Sequence, residues 1–129
     1  MTGEKNLNAL IKNLKPQVHP GQFVFVVVPE IENIPISEIL ALFREEEGYT
    51  LILKRKTADR LDLEYSFIAA WITLNVHSSL EAVGLTAKVS VVLTKSGISC
   101  NALAAYYQDH IFVPYKDKDR AVIALRNLK

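Results

Sequence analysis

An α+β sandwich, an antiparallel sheet covered by helices, is the fold class the sequence predicts. Short β-branched and aromatic runs such as Phe23–Val28 have the makeup of buried strands. Other stretches repeat apolar residues at helical spacing, as Leu7, Leu10, Ile11 and Leu14 do. From residue 67 onward the order reads strand, helix, strand, strand, helix, a layered α+β pattern. Composition agrees: of 129 residues, 50% are hydrophobic and 22% charged, which excludes a disordered chain. The 15 basic side chains against 14 acidic ones exclude a dedicated nucleic-acid surface.

The elements follow in order. The first helix ends before Pro16 and the Pro20-Gly21 pair, because proline disfavours helix in the residue before it. Phe23–Val28, apolar on both faces and closed by Pro29, belongs in the middle of a sheet. A loop or single turn around Pro35 comes next. Residues 39–43 and 49–53 then flank the charged turn Glu45-Glu46-Glu47-Gly48 as a β-hairpin, with Gly48 free to take a positive φ. A helix over residues 37–47, capped by Ser37, is the alternative. Residues 57–61 suit a short helix with Thr57 as N-cap. Composition breaks near residues 54–64, with Lys-Arg-Lys, then Asp-Arg, then Asp-Leu-Glu, either a seam between two half-domains or one solvated helix face.

Residues 67–76 read as one long strand, with Ile72, Leu74 and Val76 on one side and Thr73, Asn75 and His77 on the other. A helix over residues 85–96 buries Leu85, Val89, Val92 and Leu93 and stops at Gly97. Strands over residues 98–105 and 110–115 turn at Gln108-Asp109, and a helix over residues 117–128 closes the chain. With one strand lent by the first half, this order becomes a ferredoxin-like sandwich.

Several chemistries are not signalled. There is no glycine-rich nucleotide loop, and His19, His77 and His110 lack metal-ligand spacing to one another or to Cys100, so no metal or cofactor is expected. Cys100, without a partner thiol, fits a buried hydrophobe better than a nucleophile. His77-Ser78-Ser79 has no nucleophile elbow around it, so no catalysis is expected. The longest apolar runs are six residues, against about 20 for a membrane span, and the N-terminus lacks the apolar core of a signal peptide. A cytoplasmic protein is the expectation.

One constellation stands out. A strand ends in His77-Ser78-Ser79-Leu80-Glu81-Ala82-Val83-Gly84-Leu85-Thr86, where a helix begins at once. Unpaired N–H groups at a helix N-terminus suit an anion such as an α-carboxylate. Gly84 would allow close approach, Ser78, Ser79 and Thr86 offer hydroxyls, and Glu81 or Asn101 could meet an ammonium. Equally, Thr86 could simply cap the helix while Gly84 makes a turn.

These residues, with Gly97-Ile-Ser-Cys-Asn101 and Ala104-Ala-Tyr-Tyr-Gln-Asp-His-Ile-Phe-Val113, closely resemble the small bacterial tandem ACT-domain proteins. Leu14-Lys-Pro-Gln-Val-His-Pro-Gly21 and Leu42-Phe-Arg-Glu-Glu-Glu-Gly-Tyr-Thr-Leu51 extend the likeness over almost the whole chain. The tandem ACT units of aspartate kinases are similar at greater distance. The resemblance implies a degenerate ACT-like unit over residues 1–64 and a regular ACT domain over residues 65–129. It implies a regulatory or sensor protein that binds a small molecule, an amino acid by preference, without catalysis of its own. The site it implies is His77, Ser78, Ser79, Glu81, Val83, Gly84, Leu85 and Thr86, with residues 99–103, including Asn101, as the opposite wall. A homodimer joined along the edge strand of residues 98–105 is expected. A ligand-free dimerisation or docking module is the alternative.

Overall fold

The computed structural model describes residues 3–128. In chain order the elements are α1 (Leu7–Asn13), β1 (Gln17–Val18), β2 (Phe23–Val28), β3 (Ile39–Glu45), β4 (Gly48–Lys54), α2 (Arg55–Arg60), β5 (Ile68–Thr73), α3 (Leu85–Lys95), β6 (Asn101–Ala104), β7 (Asp109–Pro114) and α4 (Lys118–Arg126). Short 3-10 turns occupy Ile36–Glu38 and Tyr115–Asp117. By compactness the chain divides into Gly21–Ala69 and a second unit that joins the residues up to Pro20 to those from Ala70 on.

In the Gly21–Ala69 unit the strands lie in the order β3-β4-β2-β5. β2 pairs along its whole length with β4, from Phe23↔Lys54 to Val28↔Tyr49, and on its other side with the first residues of β5. Its central place follows from its composition, apolar on both faces. Val24, Val26, Val28, Leu51, Leu53 and Ala58 form the core. The connection from β2 to β3, where a ferredoxin-like unit carries its first helix, holds Pro29 and Pro35 and makes only a 3-10 turn. Ile34 is buried there in place of a helix face.

The hairpin forms as the β-pattern required, and the helical alternative over residues 37–47 does not. Gly48 has φ 144°, and a Cβ there would stand 2.8 Å from the Val28 carbonyl oxygen. The short helix begins two residues earlier than expected, at Arg55, and Thr57 is not its cap. Thr57 is buried inside the helix, while Arg55 holds the helix start by donating to Tyr65 Oη (2.8 Å) and Gln22 Oε1 (3.0 Å).

In the other unit the strand order is β6-β7-β5-β1. The lent strand is β1, with Gln17↔Thr73 and Val18↔Ile72 against β5. Alternation along the strands puts Ala70, Ile72, Ile111 and Val113 on one face. Leu10 of α1, Leu85, Val89 and Leu93 of α3, and Ala121 and Leu125 of α4 cover that face. Both strands flanking α3 are shorter than the sequence suggests. β5 stops at Thr73 because Asn75 turns the chain with φ 55°, although Leu74 and Val76 keep their inward alternation. β6 starts at Asn101 because Ile98 N–H closes the end of α3 on Leu93 O (3.0 Å), with Gly97 at φ 70°. That is a Schellman ending, and it takes the residue that would otherwise begin the strand.

Candidate functional site

Residues 77–84 lead from β5 to α3, and their backbone is tightly engaged. Glu4 N–H donates to His77 O (2.6 Å) and Ser79 N–H to Glu4 O (2.9 Å). Ser79 Oγ accepts Glu81 N–H (3.1 Å), and Ala82 N–H bonds Ser79 O (3.0 Å), a local turn of the kind serine favours. Ser78 is buried, and its hydroxyl donates to Asp109 Oδ2 on β7. Glu81 already has a cation, Lys5 Nζ at 2.8 Å; both side chains are exposed, so the pair is a weak one. His77 is exposed, with its ring 6.3 Å from that of Tyr107. Leu80 and Val83 leave 65% and 81% of their surface in solvent, which is much for aliphatic side chains.

Gly84 is the N-cap of α3, with φ 101° and no side-chain hydrogen bond capping the helix. Thr86 therefore does not cap it: the left-handed turn at Gly84 places Thr86 inside the helix. Leu85 turns its side chain into the core. The open N–H groups of this first turn carry about half a positive charge and suit a carboxylate or another small anion. Leu7 lies 3.1 Å from where a Cβ on Gly84 would stand, so the N-terminal segment roofs one side of the turn. Between α3 and β6, Thr86, Val89 and Ala102–Ala104 line a cleft of only about 10 Å³, room for one water. Asn101 is exposed at the start of β6 and does not line that cleft.

The sequence singled out the loop but missed what surrounds it: Glu4, Lys5, Leu7 and Asp109. It also missed a second polar cluster on the helix-free face of the same unit. His19 stacks on Trp71 with ring centroids 3.5 Å apart, and its Nε2 lies 2.7 Å from Thr73 Oγ1. Thr73 Oγ1 lies 2.9 Å from His110 Nδ1, which also accepts the Trp71 indole N–H at 3.0 Å. An indole nitrogen can only donate, so His110 Nδ1 must be unprotonated. The outward alternation of Trp71 and Thr73 along the strand was the signal that could have found this cluster.

Burial lowers the pKa of both histidines; His110 adds repulsion at His19, while Asp109 partly opposes the shift at His110. The neutral forms thus belong to the folded state, and the unfolded chain binds protons first as pH falls. Stability is therefore full above about pH 6.5, the ordinary histidine value, and drops as pH falls below it. The melting temperature is expected to decline from pH 7.5 to 5, and His19→Gln with His110→Gln should flatten that decline. An unchanged slope in the double variant would remove the cluster as its source.

Half-buried Cys100 packs against the core, and burial pushes its thiol up, away from the reactive thiolate. Among the described residues, no three His, Cys, Asp or Glu side chains group as a metal site, and no helix is long and apolar enough to cross a membrane.

Two family models, each described as an ACT domain, match residues 2–70 and 66–127. The chain belongs to the ACT-domain family and carries two such domains in tandem. Among solved structures, it is similar to VC0802 from Vibrio cholerae, described as a protein of unknown function and possible transport protein. The two are 41% identical over 96% of each chain, with a TM-score of 0.85. Atu0741 from Agobacterium tumefaciens shares the fold at 15% identity, covering 89% of this chain and 88% of that one, with a TM-score of 0.73. The regulatory subunit of aspartate kinase from Thermus thermophilus, in a ligand-free form, does so at 8% identity, covering 89% and 95%, with a TM-score of 0.55. No curated protein matches the chain.

Proposed function

We propose that this chain is a regulatory small-molecule-binding protein whose ligand, an amino acid or close relative, docks its carboxylate at the start of α3. The observation that carries this reading is the uncapped helix N-terminus opened by Gly84, flanked by the exposed side chains of Leu80 and Val83. Hydroxyls of Ser79 and Thr86 stand close in sequence to that turn, and His77 borders it. Membership of the ACT family, whose units serve as regulatory modules, supports a binding role without catalysis. The proposed assembly is a homodimer paired along β6, for which sedimentation at micromolar concentration is the test.

A thermal-shift screen of the twenty amino acids and common small metabolites tests the ligand reading. A true ligand at a hundred times its dissociation constant adds ~2.7 kcal/mol. At roughly 2–8 °C per kcal/mol, the melting point should rise by at least several degrees. If no compound moves it at millimolar concentration, the second reading takes over: a ligand-free dimerisation or docking module. The structure offers that reading a specific support, because residues 4–7 of the same chain already occupy one side of the loop.

A further inference from the structure

A groove of about 310 Å³ lies between α1 and the turn that follows β5, apart from the start of α3. This is the lower end of the usual size for small-molecule sites, roughly 300–1,000 Å³. Leu10 and Val76, both nearly fully buried, supply its apolar lining, and Glu4, Asn13, Asn75 and His77 supply its polar groups. Glu4 is the one acidic side chain lining it, and neither lysine nor arginine does.

The groove is preformed. Lys15 N–H donates to Leu74 O (3.0 Å) at one end, and Glu4 forms a two-bond rung with His77 and Ser79 at the other. Lys5 N–H donates to Glu4 Oε2 (3.0 Å), which orients the carboxylate and leaves Oε1 for a further donor. Asn75 holds a left-handed backbone, and its amide N–H₂ donates to Gln17 Oε1 (3.0 Å), so its carbonyl oxygen remains an acceptor.

We propose that this groove binds the ammonium group of a small organic amine, with Glu4 as counter-ion, the Asn13 and Asn75 carbonyl oxygens as further acceptors, and the amine's apolar stem on Leu10 and Val76. One carboxylate, two amides and no lining lysine or arginine select a cationic donor over an anion. A preorganised lining keeps the ordering cost of binding low. The ammonium can come from a simple amine or from the amino end of an amino acid. Of the loop residues only His77 lines this groove; Ser79, Gly84 and Thr86 do not.

The test is nitrogen-edited NMR of the full chain, titrated with butylamine, butanol, butyrate and the amino acid norvaline at pH 7. Saturable shifts of the Asn13 and Asn75 side-chain amides are expected with butylamine and not with butanol or butyrate. Norvaline shifting the same amides would assign amino acids as a source; norvaline leaving them unmoved would restrict the site to simple amines. Glu4→Gln should weaken butylamine tenfold or more, and Asn13→Asp should tighten it. Equal responses to butanol or butyrate, no saturation with butylamine, or an unaltered affinity in Glu4→Gln would overturn the proposal. Signals from residues 80–86 report on the loop separately, so each reading can fail alone.

Discussion

Leu10→Ala is expected to destabilise the protein by about 2–5 kcal/mol, the range for emptying a buried leucine site. Leu10 is 2% exposed and packs in one cluster with Ile72, Leu74, Leu85 and Val89. The lost transfer energy adds to the cavity left behind. α1, at seven residues, is too short to persist without that anchor. Denaturant unfolding should show a lower midpoint at an unchanged slope, and the melting point should fall on the order of 10 °C. Asn8→Ala, on the exposed side of the same helix, should stay within about 0.5 kcal/mol. Equal effects of the two substitutions would show that α1 is not anchored through Leu10.

Gly84→Val is expected to abolish the ligand-induced thermal shift and to lower stability. At φ 101° an L-residue costs about 1–2 kcal/mol, and a β-branched one is strained further. The added carbon would also meet Leu7 at 3.1 Å; as a flexible side chain, Leu7 can give way. The protein should therefore still fold, with a cooperative melt several degrees lower. The new side chain would stand over the N–H groups that the carboxylate needs. A variant that kept the full ligand shift would move the site away from the start of α3.

Much of the fold was legible because it rests on local periodicity. The stripe through Leu10 and Leu14, the apolar run Phe23–Val28 and the inward set Ile72, Leu74 and Val76 each carry their own period. β1 was legible only as a need. A strand had to be lent, but two residues, Gln17 and Val18, show no alternation, so nothing local marked which residues would serve. The ends of β5 and β6 were misread for related reasons. An asparagine turning left-handed at position 75 and an isoleucine used to close α3 look, in sequence, like more strand. The candidate loop was legible through Gly84 between a strand and a helix. Its roof was not, since contacts of Glu4 and Leu7 with residues 77–84 span a distance along the chain that no short-range pattern encodes. The connection between β2 and β3 was legible in Pro35, which marks a loop or single turn there, and a single 3-10 turn forms.

The division of the chain bears on how it comes off the ribosome. The residues up to Pro20 emerge before the Gly21–Ala69 insert, yet their partners, from Ala70 to α4, emerge after it. The first helix must therefore wait, uncommitted, while the intervening segment is synthesised. Gly21–Ala69 has its own core and can fold in that interval. Once Phe23 pairs with Ala69, the two ends of the inserted segment are held side by side. For a flexible loop of roughly fifty residues the length-dependent closure entropy is about 3.5 kcal/mol. An insert that folds first meets that cost in advance, so β1 reaches β5 as a near neighbour. Refolding should thus be sequential, the insert before the unit whose sequence it interrupts, and damage to the insert's core should slow the pairing of β1 with β5.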